Sequence, residues 1–190
     1  MGMPRPHLEL TVGELLDRLA SDEGAATGGG SAAALTVALA AGLTAMVARR
    51  SRDSWPEAAG VAAQALTLQA RAAPLVQSDA EAWAEALQAL DERSAGLEEK
   101  LARAAGVPLR IGDLAADVAA LAALTAERGE GTYRADAAAA AVLAAAAARI
   151  AEKLVAINLS ITEGDERRLR GRLSADAAAE AAGRALDSGP

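Results

Sequence analysis

The sequence predicts an all-α protein, an up-and-down bundle of long Ala-rich helices that forms a dimer. Hydrophobic residues make up 52% of the 190 residues but aromatic residues only 2%, so the apolar area comes from small and medium aliphatic side chains. Apolar residues recur at helical spacing, and no alternating run is long enough for a strand. Helices with such small side chains are not expected to bury every apolar face within one chain, which predicts a symmetric homodimer.

The first half of the chain divides into helices at recognisable start and stop signals. Thr11 and Glu14 form a capping-box pattern at the start of a helix that reaches residue 20. A second helix is expected to begin near Ser31, a good N-cap residue, and to end at a basic cluster near residue 50. Helical periodicity then runs from residue 57 to residue 90, and Pro74 should kink or break it.

The second half is predicted to be helical as well. Gly106 and Pro108 are expected to close a short helix that begins at residue 97. Three further helices are then predicted, separated by the loop GEGTYR and by Gly164, and they cover residues 109–128, 135–162 and 165–186. We expect residues 1–190 to form a single domain, with flexible tails at residues 1–7 and from about residue 182 to residue 190.

Composition argues against several classes of function. The formal net charge is −7 and the sequence pI is about 4.8, so the chain lacks the basic surface that nucleic acid requires and no nucleic-acid partner is expected. Cysteine is absent and there is one histidine. A disulfide framework is therefore excluded, and no metal site is expected.

One uncharged stretch, residues 25–48, is long enough to raise the question of a membrane span. It is rich in Ala, Gly, Ser and Thr, which insert weakly into a bilayer. The N-terminus has no apolar segment of the secretory type. We therefore expect a core helix of a soluble cytoplasmic protein, with no membrane partner.

The glycine turn Gly28-Gly29-Gly30 followed by Ser31 is the most distinctive short motif. Glycines allow a positive φ, and a helix that starts here would direct its free N–H groups and positive dipole end at an anion or a carbonyl. The alternative interpretation is that the glycines only allow another helix to pass closely. The motif lacks the lysine of a P-loop and follows no predicted strand, so it does not indicate a nucleotide site.

The segment LTVGELLDRLASDEGAATGGGSAAALTVALAAGLTAMVA resembles the opening of the formiminotransferase-cyclodeaminase C-terminal domain family, which includes stand-alone methenyltetrahydrofolate cyclohydrolases. That opening has a short helix, a Pro-Gly-Gly-Gly-Ser turn and an Ala-rich helix. Later segments resemble the family in the same order, and the resemblance covers about residues 8–180. These segments are LVQSDAEAW, AAGVPL, GEGTYRADAAAAAVLAAA and LVAINL.

The resemblance implies an all-helical, dimeric protein that acts on a tetrahydrofolate derivative, without a metal, a nicotinamide or a permanently bound cofactor. Cyclodeaminases of the family convert 5-formimino-tetrahydrofolate to 5,10-methenyl-tetrahydrofolate and ammonia. The related cyclohydrolases add water to the methenyl bridge. The sequence does not choose between the two reactions.

Asp79 is the candidate catalytic residue. Apolar residues surround it at helical spacing, so a carboxylate there must be paired, protonated or functional. If burial raises its pKa, one carboxyl could take a proton from the attacking nitrogen and return it to the departing one. The alternative is a buried aspartate satisfied by a backbone N–H or an arginine. Trp83, one turn further on, could stack on a pterin or serve only as core.

Three further residues are candidates for substrate binding, beside the glycine turn and Ser31. Asp136 and Asn158 match polar positions of the family, and Arg49 could attract the glutamate of a folate. Asp136 and Asn158 are 22 residues apart, so on one helix they stand roughly 33 Å apart. They could therefore contact different parts of an extended folate, or sites completed by a second subunit.

The sequence also departs from the family pattern at loop or pocket positions, where function concentrates. Thr27 replaces the proline before the glycines, Glu130 replaces an asparagine, and Ala135 replaces a serine. Three hypotheses follow: a folate one-carbon enzyme, a catalytically silent protein that still binds a folate-like ligand, and a helical dimer scaffold without a ligand.

Overall fold

The computed structural model describes residues 6–21, 27–92, 96–160 and 164–188. Within these residues the regular structure is entirely helical and contains no strand, which confirms the predicted all-α class. Two short 3-10 turns, His7–Glu9 and Gly131–Tyr133, accompany the α-helices. The helices are α1 Val12–Ala20, α2 Gly29–Arg50, α3 Ala58–Ala72, α4 Leu75–Asp91, α5 Leu97–Arg128, α6 Arg134–Asn158 and α7 Glu166–Asp187.

Helix α1 begins as predicted. The Glu14 N–H donates to the Thr11 hydroxyl at 3.2 Å, and the Thr11 N–H donates to the Glu14 carboxylate at 2.8 Å, so the capping box is complete. No residue of α1 is buried, and Val12 and Leu16 are exposed. The capping box therefore fixes the start of this helix, but the helix does not pack into the core.

The start of α2 differs from the prediction in two ways. Gly28, not Ser31, is the N-cap residue, and the helix begins at Gly29. Gly28 has a φ of −133°, and among the described residues only Gly164 has a positive φ. The glycines here do not supply a left-handed turn. Ser31 is buried in the first turn, where its hydroxyl donates to the Val76 carbonyl of α4 at 2.9 Å.

The two prolines of the helical regions behave differently. Pro74 separates α3 from α4, as predicted. Pro108 does not end a helix, because α5 continues through it from Leu97 to Arg128. Helix α5 packs against α2, α3, α4, α6 and α7. That packing stabilises the helix more than the lost backbone hydrogen bond destabilises it, since tertiary contacts supply most helical stability.

Alanine accounts for most of the buried hydrophobic positions, and α6 shows how. Most of its alanines are buried on the side that packs against α2, α5 and α7, whereas Leu143, Ile150 and Ile157 are exposed. These three larger apolar side chains, which repeat at seven-residue spacing, therefore face outward. Small side chains bring helix axes close together and leave no room for larger ones between them.

Of the described helices, α2 alone has the length and composition of a membrane span. Most of its residues are buried against α3, α4, α5 and α6. This burial is the property expected of a core helix.

Both predicted tails need correction where the structure describes them. His7 is buried, although it was expected to belong to a flexible tail, and it packs against α4. Helix α7 continues to Asp187, with Ala182 and Ala185 buried. Residues 182–187 are therefore the last turns of a packed helix. Residues 1–5 and 189–190 lie outside the described residues.

Candidate active site

A cavity of about 250 Å³ lies where the first turn of α2 meets α4, α5 and the last turns of α6. Four helices that are far apart in the sequence contribute to it. It brings together the glycine turn, Asp79 and Asn158, all of which were predicted as site residues. The lining residues are Gly28, Gly29, Gly30, Asp79, Trp83, Ala104, Pro108, Leu154, Ile157 and Asn158.

Asp79 is the one ionisable group among these lining residues. It is only 8% exposed. Its carboxyl group lies directly against the α-carbon of Gly30, where a Cβ would overlap all three atoms of the carboxyl. Glycine is therefore required at position 30 for close approach, because any side chain would displace the carboxyl group from the start of α2.

Ser31 supplies the polar contacts of this carboxyl. Its backbone N–H and its hydroxyl both face Asp79, with the hydroxyl 3.4 Å from Oδ2. The hydroxyl lies closer to the Val76 carbonyl, at 2.9 Å, so the bond to the carboxylate is the weaker of the two. Burial raises the pKa of Asp79 above its ordinary value, and the contacts from Ser31 oppose that rise only partly. Such a carboxyl is better suited to accept and then donate a proton than an ordinary exposed aspartate.

The wall opposite the glycine turn is apolar. Trp83 is partly buried and faces the cavity, together with Leu154 and Ile157. Pro108 has no N–H, so α5 offers no i+4 donor to the carbonyl of Ala104. That carbonyl belongs to a residue that lines the cavity. The part of this wall that α5 contributes was not predicted, because Pro108 was interpreted as a helix stop although helical periodicity resumes directly after it.

Asn158, the last residue of α6, is the second polar group of the cavity and is 6% exposed. Among the described residues, none forms a hydrogen bond with its side-chain amide. Buried polar side chains are nearly always hydrogen-bonded. An amide that faces a cavity without a protein partner is therefore available to a ligand.

In the part of the chain that the structure describes, no three His, Asp or Glu side chains converge in a way that could hold a metal ion. Apart from the indole N–H of Trp83, the polar groups that line the cavity are the Asp79 carboxyl, the Asn158 amide and backbone groups.

Comparison with known proteins shows the family of this chain. The family model for formiminotransferase-cyclodeaminase matches residues 11–178. This chain belongs to that family. Its fold is also similar to that of formiminotetrahydrofolate cyclodeaminase from Thermotoga maritima, with a TM-score of 0.85 and 24% identity over 95% of this chain and 96% of that one. No curated protein matches the chain. Membership of the cyclodeaminase family points to an enzyme of folate metabolism.

Two of the residues predicted to bind substrate, Arg49 and Asp136, lie far from this cavity. Arg49 is exposed in the last turn of α2, and Asp136 is in the first turn of α6. Arg50 donates to the Tyr133 hydroxyl at 3.0 Å, which places the C-terminus of α2 beside the N-terminus of α6. Both residues are therefore at the opposite end of the bundle, roughly 30 Å from the cavity along their helices.

The three departures from the family pattern are likewise divided between the two ends of the bundle. Thr27 directly precedes the glycine turn and belongs to the cavity end. Glu130 and Ala135 flank the start of α6 at the opposite end, where the Glu130 N–H donates to the Ser51 hydroxyl at 2.8 Å. Only the change at position 27 lies next to the candidate site.

Proposed function

We propose that this member of the cyclodeaminase family is a folate one-carbon enzyme, of the formiminotetrahydrofolate cyclodeaminase or methenyltetrahydrofolate cyclohydrolase type, with Asp79 as its acid and base. The observation that carries the proposal is a buried carboxyl with a raised pKa, held against the first turn of α2 in an otherwise apolar cavity. A group of this kind is the usual equipment for general acid–base catalysis.

In the cyclodeaminase reaction, N10 of the folate attacks the formimino carbon and a new C–N bond closes the ring. The ionised Asp79 takes the proton that N10 loses. The formimino group reacts as its cation, so the attack leaves an NH2 group on the carbon. The protonated Asp79 then gives its proton to this NH2 group, the C–N bond to that nitrogen breaks, and ammonia leaves while the positive charge stays on the methenyl bridge. One carboxyl returns to its starting state, which requires a pKa that burial has raised toward neutrality.

The cyclohydrolase reaction needs the same two proton transfers by Asp79. Water attacks the carbon of the methenyl bridge, and Asp79 takes a proton from it. The carbon–N5 bond then breaks as Asp79 returns the proton to N5, and the remaining hydroxyl proton is released to water as the formyl C=O forms on N10. The buried carboxyl supports either reaction, because each needs one group that accepts and then donates a proton beside the same carbon.

The walls of the cavity suggest how the substrate is oriented. Trp83, Leu154 and Ile157 offer apolar surface to a pterin ring, and the Asn158 amide offers a donor and an acceptor to its polar edge. A cavity of about 250 Å³ is below the usual range of 300–1,000 Å³ for ligand pockets. It would therefore hold the reduced pterin end, while the rest of the folate extends outside.

We also propose that the enzyme is a homodimer and that the second subunit covers the mouth of the cavity. Leu143, Ile150 and Ile157 repeat at seven-residue spacing on α6 and are 40%, 40% and 62% exposed. Ile157 belongs both to this exposed stripe and to the cavity wall. A partner packed on the stripe would bury it and exclude water from the site. Arg49 and Asp136 could contribute only to an adjacent subunit or to a distal part of the folate.

The deciding experiment mixes purified protein with 5,10-methenyl-tetrahydrofolate and follows its near-ultraviolet absorbance, alongside ammonia release from 5-formimino-tetrahydrofolate. Acceleration of either reaction that Asp79→Asn abolishes supports the enzyme, and the responding substrate identifies its type. Asp91→Asn, an exposed aspartate at the end of the same helix, is the matched control. No turnover but a rise in melting temperature with the folate would favour a silent binding protein, and neither effect would leave a helical scaffold.

A further inference from the structure

The single histidine of this chain forms a bridge next to the candidate site. His7 is 6% exposed. Its Nε2 atom lies 2.6 Å from the hydroxyl oxygen of Thr27, and its Nδ1 atom is hydrogen-bonded to Oε1 of Gln77. The backbone N–H of His7 donates to the same Gln77 oxygen at 3.2 Å. We name this set of three residues, His7, Thr27 and Gln77, the His7 bridge.

The hydrogen-bond roles in the His7 bridge follow from the groups themselves. A backbone N–H can only donate, so the Gln77 atom that faces it is the carbonyl oxygen. The Gln77 amide nitrogen donates on its other side to the Glu81 carboxylate at 2.9 Å, which fixes the same orientation. Nδ1 of His7 must then carry a proton and donate it. Thr27 completes the bridge with a hydroxyl that can serve Nε2 as donor or acceptor.

The bridge joins the two segments that carry the site. Thr27 immediately precedes Gly28, and Gln77 precedes Asp79 by two residues, so it lies on the opposite side of the same helical turn. On the inner side, Ser31 already ties the first turn of α2 to Val76 of α4. The His7 bridge is a second hydrogen-bonded connection, between the residue before the glycine turn and α4.

We propose that His7 is a positioning residue: it holds the glycine turn and the first turns of α4 in the relative position that places the Asp79 carboxyl against Gly30. The backbone just before the glycine turn needs such a restraint. Thr27 stands where the family resemblance places a proline, so the backbone before the glycines lacks a fixed φ. The hydrogen bond between Thr27 and His7 supplies the restraint instead. The catalytic consequence rests on the proposed function, whereas the structural consequence does not.

The test compares His7→Ala and Thr27→Val with Thr27→Ser, which keeps the hydroxyl. Gln88→Leu is the control, because Gln88 makes the same i,i+4 contact with Glu92, at 2.8 Å, on the same helix but has no histidine partner. Backbone amide exchange of the peptides spanning residues 27–34 and 75–82 is the first readout. The second is turnover of 5,10-methenyl-tetrahydrofolate, with kcat separated from KM.

We expect His7→Ala and Thr27→Val to speed exchange in these two peptides and to lower kcat about tenfold with little change in KM, as misplacement of a reacting group does. Thr27→Ser and Gln88→Leu should match the natural chain. The double variant His7→Ala, Thr27→Val should be no worse than His7→Ala alone, because the Thr27 hydroxyl has then already lost its histidine partner.

Two results would overturn the proposal. One is unchanged exchange at both peptides in His7→Ala. The other is faster exchange spread evenly over all helices, which would make His7 a general stabiliser. If the natural chain turns over no folate, the enzyme proposal fails while the exchange measurements still decide the role of His7.

Discussion

The two ends of the antiparallel pair formed by α2 and α6 contrast sharply. At one end, the first turn of α2 and the last turn of α6 enclose Asp79 and Asn158, which are 8% and 6% exposed. At the other end, Arg49 is exposed and Asp136 is partly exposed, and Arg50 lies over the Tyr133 ring at 4.9 Å from its centroid. One end shelters its polar groups from water, and the other leaves them solvated.

This contrast shows why polar residues that match the same family pattern need not have the same role in catalysis or binding. A buried carboxyl has a perturbed pKa and interacts strongly with a ligand, because little water competes. An exposed charge contributes little, since solvent screens it. We therefore expect substitutions at the cavity end to change chemistry and binding, and substitutions at the far end to change little.

The largest effect is expected for Asp79→Asn. Removing the one ionisable group among the described residues that line the cavity should lower turnover by about 10²–10⁴-fold, measured with both folate substrates. The same change should raise the melting temperature at neutral pH, because an ionised carboxyl no longer has to be buried.

The size of this gain in stability depends on pH. Since burial raises the pKa of Asp79 in the folded protein, its contribution to stability is fully present below the ordinary aspartate pKa, about 3.9, and is lost as pH rises through the folded pKa. The stabilisation by Asp79→Asn should therefore disappear in acid. Thermal unfolding of both proteins across this range tests it, and equal melting temperatures at pH 7 would contradict the raised pKa.

Gly30→Ala should have the next largest effect. The new methyl group would occupy the position of the Asp79 carboxyl, so that short side chain must rotate away while the fold remains. We expect turnover to fall about 10²-fold, as for a displaced reacting group, with helix content unchanged by circular dichroism. In Gly28→Ala, the matched control, nothing lies within 4 Å of the added Cβ, and equal losses in the two variants would refute the role of close approach.

Asn158→Leu should have a moderate effect of opposite sign on stability and binding. It removes a buried amide without a protein partner among the described residues, so the melting temperature of the free protein should rise. Folate affinity should fall about 2- to 10-fold, the value of one ordinary hydrogen bond, as measured by calorimetric titration. A lower melting temperature without a change in affinity would show that the amide serves the fold alone.

The smallest effects are expected for Arg49→Ala and Asp136→Asn. Each should change turnover by less than about threefold, since both groups are solvated and roughly 30 Å from the cavity along their helices. Steady-state kinetics on the two variants provide the measurement. If Asp136→Asn loses as much activity as Asp79→Asn, the far end of one subunit must complete the site of its partner.

Much of the fold could be predicted from local patterns. The capping box at Thr11, the helix break at Pro74 and the burial of Asp79 all follow from neighbouring residues, and all are present. Predictions failed where tertiary contacts override local preference. Pro108 lies inside α5 because five helices pack on it, and Ser31 turns its hydroxyl to Val76 instead of capping its own helix.

For the candidate site, the sequence predicted the members at the cavity end but also two at the far end. Spacing along one helix showed that Asp136 and Asn158 could not meet at one centre, yet it could not say which of them faces a cavity. His7 was assigned to a flexible tail because its partners are 20 and 70 residues away, and a periodic pattern does not reveal contacts at such a distance.

By itself, the sequence determined the helical class and the sheltered acid, because helical periodicity and apolar neighbours act over a few residues. The order of its motifs also carried the resemblance to the family. The tertiary structure alone decided that Gly30 makes room for a carboxyl, that alanines face inward while Leu143 and Ile150 face outward, and that His7 joins two helices. Those outcomes depend on how closely helix axes approach one another, and that distance is set by the packing of all helices together.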